Sequence, residues 1–189
     1  MPWLRACLLL VLGCNLCLAD PTLTLRDLEF RGWLASKRAG DPATVYTLLG
    51  TGFYAEPPAT DDAEQVVAAW IAAHPDASVT VVDRALVVTA DVRSWQAYVW
   101  VADGAENLNL ALVRQGVFPA AVMTDGVAYL GALPNIDKTS DTFPKRLVAD
   151  ADYAAFAQRA REAEALARQE KLGIWADAYK DRRQAWGIE

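Results

Sequence analysis

The sequence is poor in the residues that build most metal and thiol sites. It has one histidine, His74, and its cysteines are confined to the N-terminal segment at positions 7, 14 and 17. A single histidine excludes a multi-histidine metal centre, although carboxylate sites remain open. Beyond residue 19 the chain can form no disulfide, cysteine metal site or thiol nucleophile. A glycine-rich phosphate loop is absent, and His74, beside Pro75, is poorly placed for a serine triad.

Positive charge is also scarce. Across 189 residues, 18 lysines and arginines face 24 aspartates and glutamates, which gives a formal net charge of -6. An acidic surface repels phosphate backbones, so nucleic acid is a disfavoured partner, although one basic cleft can coexist with an acidic remainder. The sequence identifies no other partner, and we expect a monomer.

The long apolar run is confined to residues 1–19, "MPWLRACLLLVLGCNLCLA". An early arginine, an apolar stretch and a final small residue are typical of a secretory signal, here cut after Ala19. We therefore predict export to the periplasm or exterior, with no transmembrane helix in the mature chain. Two alternatives remain open: a lipoprotein anchored through Cys14 in "VLGC", and retention of the segment as an uncleaved anchor. Without Arg5, 17 basic residues face 24 acidic ones.

The remaining residues, 20–189, predict a single α+β domain. Apolar residues alternate with polar ones, or cluster with β-branched ones, in four regions. These are 22–36, 44–50, the pair "SVTVVD" and "ALVVTAD" as two strands or one long bent strand, and "WQAYVWVADG". Helical periodicity predicts three helices: one opened at Asp61 by a capping box with Glu64, one over 105–115 and one over about 150–172. An irregular insertion separates the last two, at about 117–149.

Two of these helices end alike. "LNLALVRQGVF" places Gly116, and "AEALARQEKLGIW" places Gly173, where a helix end favours a left-handed residue. After Gly173, we expect Ile174 and Trp175 to fold back and bury apolar surface.

These two stretches carry a family resemblance. "AYVWVADGAENLNLALVRQGVF", followed later by "YAAFAQRAREAEALARQEKLGIW", resembles the second half of the thermonuclease, or staphylococcal-nuclease-like, family. "VYTLLGTGF" resembles the family's "xRLLGIDTPE" strand more loosely. The resemblance covers about residues 28–176. It implies an OB-like five-stranded β-barrel packed with three α-helices.

The resemblance also implies a chemistry whose residues this chain largely lacks. Enzymes of the family are calcium-dependent phosphodiesterases that use metal-binding aspartates, a glutamate base and two arginines. Thr47 and Gly52 stand where an arginine and a metal aspartate would be, and Ser94 stands at the second arginine unless a gap shifts it by one residue. The displaced candidates are Asp41 for the metal, Glu56 for the base and Arg93 for phosphate. An ordinary role explains each of them more simply: a turn residue, a loop carboxylate and a surface arginine, respectively.

Tyr98 and Trp100 share one side of a strand, where they could stack a ligand or belong to the core. We therefore expect an exported thermonuclease-like domain that lacks catalysis and any cofactor, and that acts as a binding or scaffold module. The first alternative is a divergent calcium-dependent nuclease acting on DNA or RNA. The second is a structural domain of the cell envelope.

Overall fold

The computed structural model describes residues 23–31, 35–38, 44–48, 58–88, 93–124 and 145–188. Within them the protein is mixed α+β, as predicted. The strands are β1 (Leu23–Thr24), β2 (Leu28–Arg31), β3 (Ala35–Arg38), β4 (Thr44–Leu48), β5 (Ser78–Val88), β6 (Arg93–Asp103), β7 (Glu106–Asn107) and β8 (Lys145–Arg146). The helices are α1 (Ala63–Ala73), α2 (Leu108–Arg114), α3 (Ala120–Thr124), α4 (Asp150–Gln169) and α5 (Lys180–Trp186). Among the helices of these residues, none combines the length and apolar character that crossing a membrane requires.

Two long strands form the centre of the sheet. β5 and β6 pair antiparallel from Ser78 opposite Ala102 to Val88 opposite Arg93. The two runs "SVTVVD" and "ALVVTAD" are therefore parts of one strand, the second of the alternatives that the sequence left open. The register shifts between Val81 and Asp83. Such a bulge bends the strand and changes which face the following side chain occupies.

The sheet begins and ends on one segment of chain. Its path runs β1–β5–β6–β4–β3–β2, with β7 added to β6 and β8 added to β5. β4 lies parallel to β6, from Thr44 opposite Trp95 to Leu48 opposite Val99, so the two strands share one sheet. β1 and β2 are separated only by a 3-10 turn, Leu25–Asp27, that interrupts the predicted strand over 22–36. The sheet is therefore curled, and its two end strands, β1 and β2, belong to one segment of chain, residues 23–31.

The main core lies on the inner face of this curl. Helices α1, α2 and α3 cover it with apolar side chains at helical spacing. Among its fully buried members are Leu48, Val99 and Val101 of the sheet, Leu108, Leu112 and Val113 of α2, and Phe118 and Met123 beyond it. Val67 of α1 is buried, and Val66, Trp70 and Ile71 are partly buried against the same core, as the periodicity predicts.

The predicted capping box at Asp61 is wrong. α1 begins at Ala63 after the N-cap residue Asp62, and no side-chain cap bond forms there. The Asp61 carboxylate instead accepts a hydrogen bond from Arg182, while its backbone N–H donates to the Tyr179 hydroxyl at 3.1 Å. The C-terminal segment therefore competes for the carboxylate that local spacing assigns to the helix.

Gly116 ends α2 as predicted. It is left-handed (φ 68°), and two backbone bonds close the helix, from Val117 N–H to the Leu112 carbonyl and from Gly116 N–H to the Val113 carbonyl. This is the Schellman arrangement.

The end of α4 differs from the prediction. Its left-handed terminal residue is Lys171 (φ 53°), with the Leu172 and Lys171 N–H groups bonded to the Ala167 and Arg168 carbonyls. Gly173, also left-handed, comes two residues later and begins a 3-10 turn over Gly173–Trp175. Ile174 and Trp175 are buried there, so the predicted fold-back is confirmed.

The irregular insertion contains more structure than the sequence predicted. α3 and the short β8 both lie within 117–149, and residues 125–144 lie outside the described part of the chain.

Candidate functional site

A row of polar side chains crosses the outer face of the sheet. Strand register places Thr47 of β4 opposite Tyr98 of β6, Tyr98 opposite Asp83 of β5, and Asp83 opposite Arg146 of β8. Directly opposed residues on neighbouring strands project from the same face. We call Thr47, Tyr98, Asp83 and Arg146 the polar row. The bulge in β5 puts Asp83 there, because regular alternation from Val81 would turn it toward the main core.

The polar row is buried except at one end. Asp83 and Tyr98 have no exposed surface, Thr47 has almost none, and the Arg146 side chain is 28% exposed. Arg146 Nε lies 3.5 Å from Asp83 Oδ1, which makes an ion pair but is long for a hydrogen bond. Within the described residues, neither Asp83 oxygen nor the Thr47 hydroxyl meets a hydrogen-bond partner. Buried polar groups without partners are rare in native proteins, so this row is the first candidate for a site.

Burial controls the protonation of the polar row. Removal from water raises the pKa of Asp83, and the nearby Arg146 guanidinium opposes this with a smaller effect. Burial also raises the pKa of Tyr98, and the charge of Asp83 adds to that effect. Neither a carboxyl nor a phenol carries positive charge in either protonation state, so neither can pair with a phosphate as an arginine does.

Replacing Asp83 with asparagine should change how stability depends on pH. As pH rises past the ordinary aspartate range, Asp83 ionises in the unfolded chain before it ionises in the folded one. The wild type therefore loses stability with rising pH until the folded pKa is reached, and the loss is constant above it. The stability of D83N relative to wild type should therefore increase with pH and then level off. Urea unfolding between about pH 3.5 and 8 measures this difference. A difference that is constant with pH, or that decreases, would contradict a raised pKa.

Aromatic rings cover the polar row. Trp100, on the same face as Tyr98, stacks on Phe156 of α4 with ring centroids 4.4 Å apart and on Tyr153 at 6.3 Å. The Arg146 guanidinium lies 3.5 Å above the Tyr153 ring. We call Val82, Tyr98, Trp100, Tyr153 and Phe156 the outer cluster, a second core that joins α4 to the sheet. In this structure Tyr98 and Trp100 pack against protein, which is the core alternative given above.

The three candidates for catalysis are described only in part. Arg93 is the first residue of β6 and pairs with Val88. Asp41 and Glu56 lie outside the described residues, as does Gly52. Thr47 lies in the polar row, opposite Tyr98. In the described ranges, no three histidine, aspartate or glutamate side chains are grouped so as to hold a metal ion.

Sequence reasoning missed Asp83, Arg146 and Asn109. Asp83 left a signal, because "VTVVDRALVV" places a charge inside a run that is otherwise suited to a buried strand. Asn109 is fully buried, and its amide bonds to the backbone of Val99 and Val101. No sequence signal identified Arg146, because its position depends on how β8 returns to the sheet.

A groove lies between α2 and α4, and its lining residue Leu110 also packs against the outer cluster. Its volume is about 490 Å³, and its lining includes Arg114 and Leu110 of α2 and Arg159, Glu162 and Leu166 of α4. Pockets that hold small ligands or peptide side chains have volumes of this order.

No protein-family model matches the chain, and no curated protein matches it. The resemblance to thermonucleases therefore depends on the residues quoted above, and the function must be argued from the geometry.

Proposed function

We propose that the chain is a thermonuclease-like domain that keeps the family's frame without its chemistry and acts as a binding or scaffold module. The observation that supports this most is the strand order. Residues 23–31 can be counted as one bent strand that contacts β5 at one end and β3 at the other. Counted with β3, β4, β5 and β6, this segment gives five strands, and the parallel β4–β6 pair is compatible with the OB-like barrel that we propose.

The helices fit the same proposal. α1 connects β4 to β5, α2 follows the β6–β7 turn, and α4 follows the irregular insertion. These correspond in order to the three helices that the resemblance implies. α3 and α5 are additions to that frame.

The surroundings of Thr47 support the loss of catalysis. Where the resemblance places a phosphate-binding arginine, the chain has a buried neutral hydroxyl. Its neighbours along the polar row are Tyr98 and then Asp83, neither of which carries positive charge. The Thr47 side chain supplies no cation to a developing negative charge, and such compensation is worth several kcal/mol, about 3 or more, in enzymes that use it.

We expect no significant hydrolysis of DNA or RNA by the purified chain at millimolar calcium. The measurement is an in-gel nuclease assay on single-stranded DNA, run beside a Glu56→Gln variant. Cleavage by the wild type that disappears in E56Q would contradict the proposal and make Glu56 the base of a calcium-dependent nuclease. Equal cleavage by both proteins would leave Glu56 unsupported as the base, and a second purification step would test for a contaminating nuclease. Cleavage that survives that step would also contradict the proposal.

We also propose that the protein is exported, because residues 1–19 have the pattern of a cleaved signal. Mass spectrometry of the protein from a secreting host should give Asp20 as the first residue. A diacylglyceryl group on Cys14 would replace this proposal with the lipoprotein alternative.

A further inference from the structure

A short segment of chain closes the exposed end of the polar row. It begins with β8, which pairs with Asp83 and Arg84 of β5, and just beyond β8 the Leu147 N–H donates to the Val82 carbonyl at 2.7 Å. Among the described strands, β8 pairs with β5 alone. We call residues 145–149 the strap. A segment held by so few backbone bonds can open locally while the rest of the sheet stays folded.

Arg146 is the side chain that fastens the strap. Its Nε lies 3.5 Å from Asp83 Oδ1 and meets no hydrogen-bond acceptor among the described residues. Its guanidinium lies 3.5 Å above the Tyr153 ring, and its Nη1 lies 3.7 Å from Asp150 Oδ1. The strap is therefore attached to Asp83 by charge alone, without a hydrogen bond to fix the pair.

The closed strap leaves Asp83 in an environment that suits its neutral form. The side chain has no exposed surface, and within the described residues neither carboxylate oxygen accepts a hydrogen bond. An ionised carboxylate there has lost its water and gained only one cation at 3.5 Å, which seldom repays the loss. The raised pKa of Asp83, caused by burial, agrees with this geometry.

Other charged and titratable groups surround the pair. From β6, Tyr98 faces Asp83, and burial raises the pKa of this phenol, so it stays neutral through the acidic and neutral range. From α4, the Asp150 side chain reaches Arg146 but is 95% exposed. Arg84 and Lys145 oppose each other at the next position along the strands and so project from the other face.

We propose that the strap is a pH-operated device that stays closed while Asp83 is neutral and opens as Asp83 ionises. Opening takes Arg146 away from the carboxylate and from the Tyr153 ring, and it admits water to the end of the polar row. The proton of Asp83 passes to solvent. α4 stays docked, because Phe156 stacks on Trp100 farther along the outer cluster. The strap does not depend on the function proposed above.

The direction of the pH effect follows from proton linkage. Open, Asp83 is solvated and ionises in the ordinary aspartate range, whereas closed it holds its proton to higher pH. The open form therefore binds fewer protons, and opening becomes easier as pH rises between the two ranges. Above the pKa of the closed form the effect levels off.

The test is hydrogen–deuterium exchange of the purified chain, followed by NMR between about pH 4 and 8. The probe is the Leu147 N–H, and its protection factor removes the direct effect of pH on exchange chemistry. We expect this factor to fall by up to about tenfold per pH unit and then to level off. The ¹³C shift of the Asp83 carboxyl, measured on the wild type, should titrate over the range in which the fall ends.

Two variants and one reference amide identify the cause. Asp83→Asn cannot ionise, so its Leu147 protection should not change with pH. Asp150→Asn removes the exposed carboxylate beside Arg146 and should keep the wild-type pH dependence. The Val117 N–H, bonded to the Leu112 carbonyl at 2.8 Å in the main core, reports global unfolding and should be more strongly protected than Leu147.

Any of three results would overturn the proposal. The first is a Leu147 protection factor that does not fall with pH in the wild type, or falls equally in D83N. The second is a pH dependence that disappears in D150N, which would assign the effect to Asp150. The third is equal protection of Leu147 and Val117 at every pH, because the strap would then open only when the whole protein unfolds.

Discussion

Gly116→Ala should destabilise the protein by on the order of 3 kcal/mol or more. The residue has φ 68°, a conformation that costs an alanine about 1 kcal/mol. A Cβ at this position would also lie closer than 3.0 Å to the backbone carbonyl of Leu172, a separation that real Cβ atoms do not show. Because that carbonyl is backbone, relief requires the end of α4 to move away from the end of α2.

Gly173→Ala should cost a similar amount for the reciprocal reason. Its added Cβ would meet the carbonyl of Gly116, and the Ile174 N–H donates to that same carbonyl at 2.8 Å. Either substitution therefore threatens the hydrogen bond that joins the two helix ends. Urea unfolding measures both losses of stability, provided that the dependence of the unfolding free energy on urea concentration is the same in the variants as in the wild type.

Gly104→Ala is the control for these two variants. Gly104 is also left-handed (φ 57°), but a Cβ there meets no atom within 4 Å. Gly104→Ala should therefore lower stability by only about 1 kcal/mol, because alanine disfavours the left-handed conformation. If Gly116→Ala or Gly173→Ala costs no more than Gly104→Ala, the two helix ends do not depend on close backbone approach.

The two glycines show what local pattern can and cannot predict. Each was predicted to end a helix, because the apolar periodicity stops and a left-handed residue follows. For Gly116 that is correct. For Gly173 it is wrong, since Lys171 takes the left-handed position. Gly173 is needed by its contact with Gly116, and no local pattern reports a contact between residues so distant in sequence.

The strands show the same division. β4 and β6 could be predicted because β-branched and aromatic residues accumulate between turn residues. The break of residues 22–36 into β1, a 3-10 turn and β2 could not. Thr24 and Asp27 bond to each other across that turn, with the Thr24 N–H 2.7 Å from the Asp27 carboxylate. This local bond competes with a continuous strand and lets the segment pair with β5 and β3 at different edges.

The polar row could be predicted only in part. Alternation correctly places Tyr98 and Trp100 on one face of β6, but it assigns them no partner. Tyr153 and Phe156 of α4 pack against them. α4 follows the irregular insertion, and the sequence does not predict where that insertion leads the chain. The position of Asp83 depends on a bulge, and a bulge has no reliable sequence signal when neither residue is glycine.

α4 is held at both ends, and this bears on the groove. The outer cluster docks its first turns on the sheet, and the Gly116–Gly173 contact joins its last turn to α2. Between them, Ala160 is fully buried against the main core. The two helices that flank the groove are therefore fixed relative to each other through contacts at both ends of α4.

Asn109→Leu should have the second large effect, a loss of about 2–6 kcal/mol, because each of two buried polar groups left unpaired costs roughly 1–3 kcal/mol. Asn109 is fully buried in α2. Its Oδ1 accepts from the Val101 N–H at 3.1 Å, and its Nδ2 donates to the Val99 carbonyl at 3.1 Å. β4 ends opposite Val99, so the Asn109 amide continues the pairing of β6 where the neighbouring strand stops. Leucine has similar volume but neither donor nor acceptor.

Asn107→Ala separates this effect from ordinary helix capping. Asn107 is only partly buried, and its Oδ1 accepts from the Leu110 N–H at 3.0 Å as the N-cap of α2. Losing a cap of this kind costs about 1 kcal/mol. Urea unfolding should therefore show a much larger loss of stability for Asn109→Leu than for Asn107→Ala. Equal losses would mean that water or a rearranged β4 satisfies Val99 and Val101, and that the buried amide is not what joins α2 to the sheet.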